Sequence, residues 1–265
     1  MPMNPLPPSA PGDYFQGVKT SPVWDAPTRW FHWINLVLVA LLTVSGYFFM
    51  YRESFQIDGR EAKMALKAAH VWIGYAFAVN LAWRIIWAFR GNPIARWRSI
   101  LPDRSSLRSM GAELRDLIAR RPVSHLVRSP ISRLSASVMF AVLLLLALTG
   151  LVRAGTDLYH PPLGPVVAAF VAPPGTDPSA ITWRTEAQLA DPDRFQLVSR
   201  LKLVTGVSHK YGSGVLLGLI VLHIAGVTLS EVRQRSGIVS IMISGHRVSP
   251  EGGDDPGVPG ERPAA

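Results

Sequence analysis

The chain has seven histidines and no cysteine. Four of the histidines, His32, His70, His209 and His223, fall in or at the ends of stretches without Lys, Arg, Asp or Glu. An ionisable side chain in such apolar surroundings is costly and is a functional hypothesis by default. Neutral imidazole is a metal ligand. On one α-helix the spacing from His209 to His223 is about 21 Å along the axis and about 40° short of four full turns, so both rings face one interior at two depths. Without cysteine there are no disulfides, no iron–sulfur clusters held by thiolates and no C-x-x-C-H attachment. Any haem is therefore non-covalent.

The elements that must carry these histidines are legible from charge. Lys, Arg, Asp and Glu are absent from Trp30 to Tyr51, from Ala68 to Trp83, from Leu134 to Val152 and from Tyr211 to Ser230. Each gap approaches the roughly 20 apolar residues that cross a hydrocarbon core. The second continues past Arg84 through Ile85 to Phe89, so Arg84 is expected inside a helix from about Ala68 to Phe89. A soluble bundle would need a polar stripe every third or fourth residue, and Phe140 to Leu148 has none. The fold class expected is an all-α membrane protein, a four-transmembrane-helix bundle holding two b haems. Asp25 with Pro27, and Ser129 with Pro130, read as starts of the first and third helices. The fourth is expected from near Ser208 to about Glu231, and the segment from Arg153 to Ser208 as a long, Pro- and Gly-rich outer loop.

Net charge is +9, but the arginines flank apolar spans rather than sitting among stacking aromatics, which argues for membrane lipid and against nucleic acid. The run from Arg90 to Arg133 marks the cytoplasmic side by the positive-inside rule. Both termini then face the cytoplasm of a multi-pass protein of the bacterial inner membrane. Residues 1–23 read as a flexible arm with no cleaved signal peptide, residues 24–247 as the four-helix domain and residues 248–265 as a disordered tail. Leu107 to Ala119 reads as an amphipathic helix on the inner leaflet, and Gly237 to Ile243 as a short amphipathic patch.

Depth selects partners for the histidines. His70 and His209 both start helices at the outer side, while His32 starts one at the inner side, where His223 also falls. Each pair supplies two imidazoles to a metal whose four equatorial positions are already filled, which describes haem iron. Gly46 follows His32 at the same spacing as His223 follows His209, and Gly212 and Gly226 lie three positions after His209 and His223. They can either admit a porphyrin or pack helices. Arg84 follows His70 at that same spacing, and can meet a haem propionate or snorkel to the inner surface. Two levels disfavour a zinc cluster. His125, His160 and His246 read as surface residues. The other class left open is a haem-free transporter or assembly factor with intramembrane histidines.

Several motifs resemble the b-type cytochrome subunit of membrane-bound nickel–iron hydrogenases, within the wider bacterial cytochrome b561-like and formate dehydrogenase gamma group. They are Val23 to Arg29 running into His32-Trp33-Ile34-Asn35, His70 with Gly74-Tyr75, Arg84 to Asn92, the His209 to His223 helix and Ser240 to Arg247. The resemblance implies two haems b ligated by His32, His70, His209 and His223, and electron flow between an outer-face redox subunit and quinone. The outer loop, including Gly155 to Pro162, departs from that pattern, which leaves the partner open between a hydrogenase, another dehydrogenase and a c-type cytochrome. Asp25, Arg29, Trp30 and the segment from Ser244 to Arg247 are candidates for an inner quinone pocket. No substrate chemistry is expected of the chain itself.

Overall fold

A computed structural model of the chain describes residues 18–93, 95–119, 129–234 and 237–250. His125, most of the N-terminal arm and most of the C-terminal tail lie outside the described residues. Four long helices form the body: α1 (Ala26–Met50), α2 (Arg60–Arg90), α5 (Pro130–Leu158) and α8 (Pro192–Gln234). All four are long and apolar enough to cross a membrane. Between α2 and α5 come α3 (Trp97–Ile100) and α4 (Arg104–Ile118). Between α5 and α8 come α6 (Gly164–Val171) and α7 (Glu186–Leu189), and α9 (Ile238–Ser244) follows α8.

Local chemistry accounts for the helix starts. Asp25 accepts from the Thr28 amide at 3.1 Å, and Ser129 accepts from the Ser132 amide at 3.1 Å. In each case a proline occupies the first turn, where an amide hydrogen has no partner. The bundle core takes Phe31 and Val39 from α1, Phe77 and Leu81 from α2, Leu143 and Leu146 from α5 and Leu216 from α8. The opposite faces carry exposed Leu36, Val37, Val79, Leu144, Val221 and Leu222. An apolar exterior around a sparse polar interior is the arrangement a bilayer demands, since lipid satisfies no polar group. The chain is a multi-pass membrane protein. We call its two faces the cap side, where α6 and α7 lie, and the arginine side, where α3 and α4 lie.

Two features differ from the reading of the sequence. The segment expected as a loop up to Ser208 contains α6, α7 and the first turns of α8, which begins at Pro192. At 43 residues α8 is roughly 64 Å long, about twice a hydrocarbon core. Asp193, Arg194, Arg200 and Lys202 hide its early turns from a search for apolar spans, yet none of them opposes a helix in water. The cap has its own small core of Ala168, Val171, Ala172, Ile181 and Val198. The second feature is an antiparallel strand pair, β1 (Val18–Pro22) with β2 (His246–Pro250), in register from Val18 opposite Pro250 to Pro22 opposite His246. The turn into β2 is made at Gly245, with φ +86°, where a Cβ would stand 2.8 Å from the Trp24 carbonyl oxygen. That carbonyl approach leaves room only for glycine. The Gly245 carbonyl in turn accepts from the amides of Val23 and Trp24.

Candidate functional site

The four histidines meet in two pairs. The His70 and His209 ring centres are 6.3 Å apart on the cap side, and those of His32 and His223 are 6.5 Å apart on the arginine side. In backbone terms α8 packs closely on α5, and α2 on α1 and α5, whereas α8 approaches neither α1 nor α2 closely. The histidine rings thus meet across gaps between helix backbones. Among the described residues no three His, Cys, Asp or Glu side chains converge on one point. Each level offers two imidazoles.

On the cap side, each ring is held at Nδ1. Ser45 Oγ lies 2.9 Å from His70 Nδ1, and Thr149 Oγ1 lies 2.9 Å from His209 Nδ1. Next to each hydroxyl is a glycine. A Cβ at Gly46 would stand 3.5 Å from His70 Cε1, and one at Gly150 would stand 3.4 Å from His209 Cε1. Ser45, Thr149 and Gly150 were missed by reading the sequence for charge and histidine spacing. Their signal is a repeated dipeptide, hydroxyl then glycine, near the cap-side end of two spans. Gly212 sits against Leu146 Cδ2, 3.2 Å from its would-be Cβ, which is a contact between packed helices. Among the described residues, and apart from their own helix backbone and chain neighbours, no atom comes within 4 Å of a Cβ placed at Gly74, Gly214, Gly218 or Gly226.

On the arginine side, His32 Nδ1 is buried without a hydrogen-bond partner among the described residues, as are Thr28 Oγ1, Asn35 Oδ1 and Arg84 Nη1. Thr28, His32 and Asn35 recur at helical spacing along one face of α1. Arg84 is buried at 3% exposure. Its Nη2 donates to the Ala95 carbonyl at 3.1 Å, and its guanidinium lies 5.9 and 5.5 Å from the ring centres of Phe31 and Phe140. It is therefore packed inside the bundle and does not reach out along the surface. Asp25 spends both oxygens, one on the Thr28 amide and one on Trp87 Nε1 at 2.8 Å. Arg29 donates to the Ile243 carbonyl and Trp33 Nε1 to the Met242 carbonyl at 3.4 Å, which pins α9 beneath the start of α1. Trp30 is exposed.

The remaining histidines lie apart from the pairs. The His160 ring centre is 6.1 Å from that of Trp72, and His246 is exposed with Nδ1 3.1 Å from the Ser244 carbonyl oxygen. In the cap, Asp157 lies 2.9 Å from Lys67 Nζ and 2.7 Å from Arg153 Nη2. Burial pushes the Tyr159 phenol up, and so does the Glu186 carboxylate that accepts its hydrogen at 3.0 Å. Tyr159 therefore stays a hydrogen-bond donor throughout the ordinary pH range.

Residues 23–245 match the family described as prokaryotic cytochrome b561. Among curated proteins, the chain is 22% identical over 241 residues to a probable Ni/Fe-hydrogenase B-type cytochrome subunit of Cupriavidus necator, covering 88% of each chain. It is 26% identical to the protein of the same description from Rhodobacter capsulatus, over 85% of this chain and 80% of the relative. It is 22% identical to a probable Ni/Fe-hydrogenase 1 B-type cytochrome subunit of Escherichia coli K12, over 85% and 89%. No solved structure matches. The chain belongs to the prokaryotic cytochrome b561 family, and a family of b-type cytochromes implies haem b.

The residues present fit that group. Two metal–imidazole bonds of about 2 Å each, with the half-widths of the two rings, come to roughly 6 Å, close to both observed ring separations. On the cap side the Nδ1 contacts leave Nε2 as the free ligand atom. The orphaned Arg84 Nη1 is a buried donor suited to a propionate carboxylate. Gly226, three positions after His223, leaves that part of the α8 face without side-chain bulk.

Proposed function

We propose that the chain is the membrane subunit of a respiratory oxidoreductase and carries electrons through two haems b, one held by His70 and His209 and one by His32 and His223. The observation that carries this reading is the pairing of four intramembrane histidines at two levels, each with the ring separation of a doubly ligated metal. Bound there, haem b supplies a one-electron iron couple. The chain's own residues do the rest. The imidazoles fix two sites about 21 Å apart along α8, and the lipid-facing apolar shell keeps water from both. Arg84 is placed to neutralise propionate charge at the arginine-side level, Gly46 makes room for the His70 ring, and Gly226 leaves α8 without side-chain bulk near His223, whereas Gly212 serves the packing of α8 on α5.

The concentration of arginine between α2 and α5 supports placing that face, and both termini, in the cytoplasm of a bacterium, with the cap outside the inner membrane. The relatives are described as hydrogenase subunits, so we assign the cap as the seat of a periplasmic redox subunit of that kind. A c-type cytochrome would be an alternative seated on the same face. Quinone is placed on the arginine side, near Arg29, exposed Trp30 and the segment 244–247, where α9 meets the start of α1.

The test is a reduced-minus-oxidised spectrum of the protein purified in mild detergent after expression with ample haem. A b-type alpha band that titrates as two components is expected. Without such a band the reading fails, and a haem-free transporter or assembly factor takes its place. Identifying what copurifies separates a hydrogenase partner from another.

A further inference from the structure

Both hydroxyls that touch the cap-side histidines have already committed their protons. Ser45 Oγ lies 3.2 Å from the Leu42 carbonyl oxygen as well as 2.9 Å from His70 Nδ1. Thr149 Oγ1 lies 2.7 Å from the Leu145 carbonyl oxygen and 3.3 Å from that of Leu146, as well as 2.9 Å from His209 Nδ1. A hydroxyl has one proton and two lone pairs, and a carbonyl oxygen can only accept. The hydroxyl proton therefore goes to the helix carbonyl, as intrahelical Ser and Thr commonly arrange it. What faces Nδ1 is then a lone pair, so the proton in that contact belongs to the ring. A neutral imidazole that carries its proton on Nδ1 has a bare lone pair on Nε2, the form a metal requires.

We propose that Ser45 and Thr149 are positioning residues that lock His70 and His209 in the Nδ1–H tautomer, aim Nε2 at the cap-side iron and lower the reduction potential of that haem. The assignment rests on the di-haem reading above. A second contact beside each hydroxyl restricts the ring as well, since Gly46 and Gly150 admit His70 Cε1 and His209 Cε1 at 3.5 and 3.4 Å from their would-be Cβ positions. The same two-residue device, Ser45-Gly46 on α1 and Thr149-Gly150 on α5, thus serves a ring on each closely packed neighbour, α2 and α8. The arginine-side pair differs, because His32 Nδ1 is buried with no partner among the described residues. An imidazole that donates from Nδ1 is a more basic ligand and favours the oxidised iron, so the effect belongs to one haem of the two.

The experiment is a potentiometric titration of the alpha band in the full-length protein, with the cap-side component identified by its loss in His70→Ala. In the double variant Ser45→Ala with Thr149→Val, both haems are expected to remain. The reduced-to-oxidised ratio of the cap-side component at fixed potential should rise roughly tenfold, about 59 mV for a one-electron couple, while the other component stays put. The variant Ser45→Thr with Thr149→Ser keeps both hydroxyls and should return the wild-type titration. If the hydroxyl-free and hydroxyl-retaining variants behave alike, whether both keep wild-type potentials or both lose the cap-side haem, the assignment is overturned. A wild-type protein without an alpha band overturns the di-haem reading, and this inference with it, and is recognised before any variant is compared.

Discussion

On the cap side, carboxylates meet cations. Asp157 lies between Lys67 and Arg153, Glu186 pairs with Lys202 at 3.2 Å, and Glu61 pairs with Arg184 at 2.7 Å. On the arginine side, carboxylates also meet backbone amides, and Asp103 lies 3.7 Å from Arg133 Nη1. Asp25 caps α1 through Thr28, Asp103 accepts from Ser106 at the start of α4, Glu113 accepts from the Ile131 amide at 3.1 Å, and Glu231 accepts from the Ile238 amide at 2.9 Å. The arginines there turn to carbonyl oxygens, Arg29 to Ile243, Arg84 to Ala95, Arg96 to Gly91 and Arg133 to Arg98 and Leu101. A carbonyl satisfies a donor without neutralising its charge. The arginine side nevertheless carries a wider excess of cations over carboxylates than the cap side does, a bias of the kind that attracts anionic headgroups.

The largest expected effect separates the two faces at their histidines. His70→Ala or His209→Ala should abolish the cap-side haem and spare the other, and His32→Ala or His223→Ala should do the reverse. Component-resolved spectra of the four variants check this. If His32→Ala and His209→Ala gave the same loss while His70→Ala kept both haems, the pairing would be wrong.

A smaller effect compares a buried ion-paired carboxylate on the cap side with a carbonyl-bound arginine on the arginine side. Asp157 is 8% exposed, so Asp157→Ala leaves Lys67 and Arg153 without their counter-charge and should cost about 3 kcal/mol. Arg96→Ala removes a hydrogen bond to a carbonyl, 3.0 Å long, and should cost about 1 kcal/mol. Thermal unfolding in detergent, followed by haem absorbance, ranks the two. Equal losses would show that Asp157 is no more coupled to its cations than Arg96 is to its carbonyl.

The smallest effect concerns an arginine-side cap. The Ser106 hydroxyl and amide, with the Ser105 hydroxyl, hold the Asp103 carboxyl down at about 2. Because the folded value lies below the unfolded one of about 3.9, the cap's contribution is complete above about pH 4 and fades as pH falls toward 2. Amide exchange of α4 should therefore quicken over that interval. Asp103→Asn, which still accepts from the amide, should remove the pH dependence. An unaltered profile in that variant would point to another carboxylate.

How much was legible from sequence follows from what each feature depends on. A bilayer penalises charge residue by residue, so the four spans could be read locally, as could the capped starts at Asp25 and Ser129 and the place of Arg84 within a helix, whereas its burial rather than its snorkelling was decided by the packing. Helical geometry converts the spacing of His209 and His223 into two depths, and depth alone matched His70 with His209 and His32 with His223. The tertiary structure decided the rest. The rotation of α1 against α2 and of α5 against α8 brings Ser45 and Thr149 onto histidine rings, and a serine or threonine in a span carries no local mark of what it faces. The long cap-side run of α8 and the pairing of Val18–Pro22 with His246–Pro250 were invisible for the same reason. Their residues are polar enough for a loop, and only contacts with distant parts of the chain repay the entropy of ordering them.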